Sequence, residues 1–413
     1  MAIDSKAPER QAIGTLRSEE RLPDTALLSV VIPTRNEAAN VEPLLARLAS
    51  ALEGIDHELI FVDDSDDGTL EALSAHATRN GRRLVLHHRK PGEREAGLSG
   101  AVIEGLKLAT GTHVAVIDAD LQHPPELLPR MLARSQSRGA DIVVASRYVE
   151  GGSVNGLGDA ARKLLSQGTR WFSRGLFHER IWNVQDPCSG FFIFRRALLE
   201  NIELRPIGYK ILLEVLMRTP WDFLDEVPYR FEERAGGASK ASIQQGLLFL
   251  RHALRLFREL PSAGRVWKFL LVGATGAVVN LALLWLVAVE LGAGRTVGWP
   301  IALEASVISN FLLNRTFTWN DRRAHGPLGV ARDGLRYHLA MAFGLGVSTA
   351  AFAAFSWLGL PILAAGLGGI VLGAATNFIG SDRFVFVARR RQTTVRRVAE
   401  SALTEGAARA REA

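Results

Sequence analysis

From residue 27 to about residue 146, short apolar runs alternate with stretches whose apolar positions recur every three or four residues. The runs at 27–32 (LLSVVI), which is β-branched, 58–62 (ELIFV), 84–87 (LVLH) and 142–145 (IVVA) predict short strands. The segments between them predict helices, among them one after Pro33, one from Thr69, one over 98–109 and one from Glu126. Such alternation implies a doubly wound α/β sheet whose functional loops share one edge. After Gly151 the periodicity loosens, and 151–240 reads as substrate-facing pieces more than regular structure. Residues 244–260 (QQGLLFLRHALRLFREL) then form an amphipathic pattern with Arg251, Arg255 and Arg258 beside leucine and phenylalanine. That pattern suits a helix lying in a membrane interface as well as one packed on the preceding domain. Its place just before the first long apolar run favours the interface.

Four apolar runs follow, at about 267–289, 297–318, 337–358 and 361–381. Each is near the roughly 20 residues that cross a bilayer. Arg265 and Lys268 precede the first, Arg322, Arg323 and Arg332 lie between the second and third, and Arg389 to Arg391 follow the fourth. The remaining two loops carry only Arg295, so the excess of positive charge places the N-terminal domain, the middle loop and the tail in the cytoplasm. Asn310, Phe311, Phe317 and Trp319 match Asn377, Phe378, Phe384 and Phe386, a faint repeat that predicts two helical hairpins in parallel orientation.

Composition adds three constraints. Apolar residues make up 47% of the 413, and mean hydropathy is +0.09, with the excess after residue 266. The net charge of +6 lacks the interleaved aromatics of a nucleic-acid surface and suits an anionic membrane instead. A single cysteine, Cys188, excludes an intrachain disulfide and fits a reducing compartment. Residues 1–24 are polar and charged, without the apolar core of a signal peptide, and read as a flexible arm.

The candidate chemistry centres on 114–126 (VAVIDADLQHPPE). Four apolar residues deliver Asp118 and Asp120 to a sheet edge, and strand alternation puts both on one face with Gln122. Two carboxylates and an amide oxygen suit a hard divalent cation, which would leave positions for a substrate diphosphate. Pro124 and Pro125 stop the strand and open the next helix. Arg147 ends a second strand on the same edge, with a salt bridge as its simpler role. Arg162 and Ser166 are one helical turn apart and can present a cation and a hydroxyl together. Residues 167–171 spell Q-X-X-R-W, a signature of processive polysaccharide synthases that here follows the carboxylate triplet too closely to be that motif. No Ser, His, Asp triad is evident, and His87, His88 and His123 read as surface or packing residues.

In chain order, VIPTRNE, VDDSDDGT, DADLQHPPE, ASRYVEGG, DPCSGFFIFRR, GYKILLEVL and RAGGASK resemble the polyprenyl-phosphate mannosyltransferases, the dolichol-phosphate mannose synthase group of the inverting family 2 glycosyltransferases. The form resembled carries a four-span GtrA-like membrane domain. The resemblance implies a GT-A catalytic domain, Rossmann-like with a mostly parallel sheet, over 25–241, an interface helix over 242–262, membrane helices over 263–388 and a basic tail over 389–413. It gives nucleotide contacts to Pro33, Arg35, Glu37, Val62 and Asp64, and the metal and donor diphosphate to Asp118, Ala119, Asp120 and Gln122. It sets Arg147, Lys210 and Arg234 near donor phosphate, and Arg147, Arg162 and Ser166 near the lipid phosphate. Asp64 has a simpler alternative as the cap of the helix at Thr69, a task open to Asp67 as well. The sequence departs from the family where Gly237, Ala238, Ser239 and Lys240 replace the usual Gly-Glu-Ser-Lys, and where Arg35 replaces a common tyrosine.

The implied reaction is transfer of mannose from GDP-mannose to a polyprenyl or dolichyl monophosphate, assisted by Mn2+ or Mg2+ and inverting the anomeric centre. A lipid monophosphate has a second pKa of about 6, so it attacks without a general base. Two alternatives stay open: glucose transfer from UDP-glucose, and a lipid-linked sugar flippase using Asn280, Glu304, Asn310 and Asn377 within the spans.

Overall fold

The computed structural model describes residues 27–79, 84–157, 160–232 and 243–387. It divides into two compact units, Met1–Ala263 and Gly264–Ala413.

In the first unit β1 (Leu28–Thr34), α1 (Ala38–Ala51), β2 (His57–Asp63), α2 (Thr69–Arg79), β3 (Leu84–His88), α3 (Gly97–Leu108), β4 (His113–Val116), α4 (Leu128–Arg138) and β5 (Ile142–Ser146) alternate as the apolar pattern requires. Next come α5 (Ala160–Leu176), α6 (His178–Ile181), β6 (Phe192–Arg195), α7 (Ile211–Arg218), β7 (Leu224–Pro228) and α8 (Ile243–Glu259). The seven strands lie in the order β3-β2-β1-β4-β6-β5-β7, and only β6 runs antiparallel to its neighbours. Strand alternation divides the apolar side chains into two cores. Val31, Ile60, Val62 and Val116 pack on one face with α3, α7 and α8, while Val30, Ile32, Phe61 and Ile117 pack on the other with α1 and α4. The order reverses direction between β1 and β4, which opens a crevice beyond their carboxyl ends.

Strands β6 and β7 lie where the pattern loosens in sequence. The run Phe191–Phe194 is too short to separate from a buried turn, and its partners β4 and β5 are distant in sequence. Helix α8 packs on the first unit by one face and leaves leucines exposed on the other. Phe249, His252, Ala253, Leu256 and Phe257 are buried against the first unit's core, whereas Leu247, Leu250 and Leu254 are exposed beside Arg251 and Arg258.

The second unit consists of α9 (Arg265–Trp285), α10 (Arg295–Leu313), α11 (Pro327–Trp357) and α12 (Ile362–Gly380), a four-helix membrane domain. With π turns extending α9, α10 and α12, all four helices are long and apolar enough to span a bilayer. Leu281, Val289, Phe343, Leu363 and Ile370 face outward, as a lipid solvent favours. Helix α11 begins ten residues before the apolar run in the sequence, because its first turns carry Arg332, Asp333 and Arg336.

The repeat has a structural counterpart. Both hairpins close with a single π turn, Asn314–Thr318 and Ser381–Val385. Equivalent side chains make equivalent contacts: Phe269 meets Phe378 at 5.6 Å and Tyr337 meets Phe311 at 5.5 Å, while Lys268 lies over Phe317 at 5.5 Å and Arg336 over Phe384 at 5.6 Å. The matched pair Trp319 and Phe386 stack on each other, 5.0 Å apart and 12° from parallel.

Candidate active site

The crevice at the β1/β4 reversal is a cavity of about 900 Å3, built entirely within the first unit. Pro33, Arg35, Glu37, Asp64, Asp118, Ala119, Asp120, Gln122, Arg147, Arg162, Ser166 and Lys210 all line it. Val62 instead lies fully buried beneath it in the core. Arg234, together with residues 237–240, falls outside the described residues.

The carboxylate loop differs from its sequence reading in how it is held. Strand β4 ends at Val116, so simple alternation does not place Asp118, Asp120 and Gln122. The chain turns through Leu121 at a φ of 62°, and Asp120 Oδ1 accepts the Gln122 backbone N–H at 3.1 Å. Gln122 Nε2 donates to the carbonyls of Glu232 (3.0 Å) and Gly156 (3.3 Å), which fixes the orientation of its amide. Gly190 passes behind Asp118, where a Cβ would lie 2.9 Å from Asp118 Oδ2. A side chain there would displace the Asp118 carboxylate.

Cations are set around this loop by buried partners. Arg147 is neither exposed nor in a surface ion pair: Nε and Nη2 donate to Asp186 Oδ2 and Oδ1 at 2.8 and 2.9 Å, and its guanidinium lies 5.5 Å from the Phe231 ring. Asp186 is wholly buried. Burial opposes its ionisation, but the charge and hydrogen bonds of Arg147 outweigh it and hold the carboxyl below the usual range. Lys210 stands just before the first residue of α7 and donates from Nζ to the Cys188 carbonyl at 3.0 Å. Burial pushes the Cys188 thiol up. On α5, the Ser166 hydroxyl meets the Tyr148 hydroxyl at 2.7 Å on the face that also presents Arg162 to the cavity.

At the other end of the cavity, Asp64 is gripped by buried Arg89, with Nε donating to Oδ1 at 2.7 Å and Nη2 to Oδ2 at 2.5 Å. Helix α2 is served separately by Asp67, whose Oδ1 accepts the Thr69 N–H at 3.0 Å. Asp63 holds Thr34, Ser65 and His88, tying the ends of β1, β2 and β3 together. His123 is enclosed by Phe191, Tyr229 and Phe231, and burial pushes its pKa down to about 4, so the imidazole is neutral near pH 7. The sequence reading missed Asp186 and Arg89. Asp186 opens the DPCSG segment, which was a visible signal; for Arg89 only the strand end at His88 offered one.

Residues 29–203 match the glycosyl transferase family 2 domain, and residues 268–386 match the GtrA/DPMS transmembrane domain. The fold, its carboxylate-lined crevice and these matches define a membrane glycosyltransferase of family 2. The chain is 37% identical over 353 residues to a dolichol-phosphate mannosyltransferase of Pyrococcus furiosus, covering 85% of this chain and 97% of that protein. It is 33% identical over 243 residues to the dolichol-phosphate mannosyltransferase of Saccharomyces cerevisiae, covering 55% of this chain and 86% of the relative. Mannosyl-3-phosphoglycerate synthase from Rubrobacter xylanophilus aligns with a TM-score of 0.44 at 22% identity, over 57% of this chain and 75% of that one. The chain belongs to the dolichol-phosphate mannosyltransferase family.

Proposed function

We propose that this protein transfers mannose from GDP-mannose to a polyprenyl, dolichyl-type monophosphate, with inversion at the anomeric carbon and release of GDP. The observation that carries the reading is that Asp118, Asp120 and Gln122 open onto the same cavity as Arg147, Arg162 and Lys210. The relatives named dolichol-phosphate mannosyltransferase support the choice of sugar and acceptor. Within this reading Pro33, Arg35, Glu37 and Asp64 contact the nucleoside, Val62 supports them from below, and Arg234 closes over the donor.

The donor set fits a divalent cation. Two carboxylates and an amide are hard oxygen ligands, and among the described residues they join no cluster of three His, Cys, Asp or Glu side chains. Magnesium or manganese at Asp118, Asp120 and Gln122 would take its other ligands from substrate oxygens and neutralise charge on the leaving diphosphate. The chain's own groups do the rest. Arg162 and Ser166 hold the acceptor phosphate, already mostly dianionic at neutral pH because its second pKa is about 6. Its oxygen forms the new bond to the anomeric carbon while the bond to the diphosphate oxygen breaks and the electron pair departs with GDP. Lys210 and Arg147 stabilise that charge, and the Asp186 pair fixes Arg147 in place before substrate arrives. His123 is neutral and takes no proton.

The chain is a membrane protein, and in this reading its first unit, the middle loop and the tail lie on the cytoplasmic side of the cytoplasmic membrane, as Arg265, Lys268, Arg322, Arg323, Arg332 and Arg389 to Arg391 favour. In domain terms, 25–241 is the transferase, 242–262 the interface helix, 263–388 the membrane domain and 389–413 a basic tail. Transfer of labelled mannose from GDP-mannose into dolichyl phosphate tests the reading. Asp120→Ala should reduce turnover by about 100-fold or more while membrane insertion is unchanged. Near-normal turnover by that variant would overturn the carboxylate assignment, and transfer from UDP-glucose instead would overturn the donor.

A further inference from the structure

Glu214 lies in the first turn of α7, four residues after Lys210, and is wholly buried. One oxygen, Oε1, accepts the Arg205 backbone N–H at 2.6 Å and Arg218 Nε at 2.5 Å. The other, Oε2, meets Nε2 of His252, also wholly buried, at 2.8 Å from α8. Helix α8 holds the same stretch a second time, since Arg255 Nη1 donates to the Arg205 carbonyl at 3.1 Å. Both polar groups of the Arg205 backbone are therefore engaged, one by Glu214 and one by α8. Five residues later the chain reaches Lys210, after a segment whose Gly208 carbonyl is held by the Ser99 N–H at 3.3 Å. A buried carboxylate is costly unless its partners repay it. Burial by itself would raise this carboxyl, but hydrogen bonds from His252 and the Arg205 amide, with the charge of Arg218, bring it below the usual range. A leucine would fill the same core volume, so the ionised group at this point calls for a reason.

We propose that Glu214 is a positioning residue that, with His252, anchors the 205–210 segment to α8 and thereby sets where the Lys210 ammonium stands over the donor diphosphate. The inference rests on the donor role given to Lys210 above. It also ties that cation to a helix whose opposite face exposes Leu247, Leu250 and Leu254. Helix α8 touches the site directly as well, through Gln245 and Leu248 in the cavity wall.

The test is a double-mutant cycle in the full-length, membrane-reconstituted protein, measuring kcat and KM for GDP-mannose with dolichyl phosphate as acceptor. Glu214→Gln and His252→Phe should each lower kcat/KM by about 10-fold, and His252→Gln, which retains a donor, should recover most of it. Against Lys210→Met the two losses should not multiply, because the anchor acts through Lys210. A second readout is independent of turnover. Cys188 is the chain's only cysteine, is buried, and accepts Lys210 Nζ at its carbonyl, so release of the segment should raise its alkylation rate by iodoacetamide about 10-fold in Glu214→Gln. Losses that multiply fully with Lys210→Met, or unchanged Cys188 reactivity, would overturn the anchoring role. Wild-type transfer by Lys210→Met would instead overturn the donor role of Lys210. Loss of transfer in the wild type itself would tell against the mannosyl reading while the alkylation result still decides the anchor.

Discussion

Arg147 and Asp64 were singled out from the sequence and line the cavity, but the groups that hold them there were not. Asp186 and Arg89 are each far from their partners in sequence, 39 and 25 residues away, and no local spacing links them. Replacing Asp186 by Asn leaves the Arg147 charge buried without its counter-ion, a loss of about 3–5 kcal/mol by the cost of breaking such pairs. Thermal or denaturant unfolding in detergent should register it. The sign with pH follows from the lowered Asp186 carboxyl. Its contribution is fully present above the ordinary carboxylate pKa and is lost as pH falls through the folded value, so Asp186→Asn should lose less stability on acidification than the wild type does. An equal acid loss in both would show that the pair is not what acid breaks. Asp118, Asp120 and Gln122 were identified correctly as neighbours at the sheet edge, although by a strand alternation that stops at Val116. Their placement comes from a left-handed turn at Leu121 and two carbonyls, Gly156 and Glu232, supplied from distant parts of the chain.

Among the elements, those with strong periodicity were readable and those stabilised by distant partners were not. Strands β1, β2, β4 and β5 sit in continuous apolar runs because both faces are covered. β7 carries Asp225 and Glu226 and, among the described strands, gains its pairing only from β5, so its sequence resembles a loop. In the membrane domain, α11 and α12 approach closely at Gly369, where a Cβ would stand 2.8 Å from the Ser348 carbonyl oxygen. Gly369→Val should therefore push the hairpin apart and destabilise it by about 1–3 kcal/mol, as overpacking does. A lowered unfolding midpoint in detergent would register this, and an unchanged one would mean that the backbones separate without cost. The equivalent contacts of Phe269 and Tyr337, and of Phe317 and Phe384, show that a weak sequence repeat can persist as a clear geometric one.

For the whole molecule, topology is the open dimension with the sharpest test. Cys188 is buried, so single cysteines introduced at exposed loop positions report without background. With the first unit in the cytoplasm, His325→Cys should be protected from a membrane-impermeant maleimide in intact cells and Ala293→Cys should be labelled, both positions being exposed. The reverse pattern would invert the orientation. The sequence alone determined the α/β alternation, the four spans, the charge asymmetry of their loops and the residue types at the sheet edge, because these depend on local periodicity and on how long an apolar run must be. Tertiary structure alone decided the pairing of Arg147 with Asp186 and of Asp64 with Arg89, the turn that aims Asp120 and Gln122, and the link from Glu214 through His252 to α8. Each of those depends on burying a charge or an amide where only groups remote in sequence can satisfy it, and that condition leaves no mark on neighbouring residues.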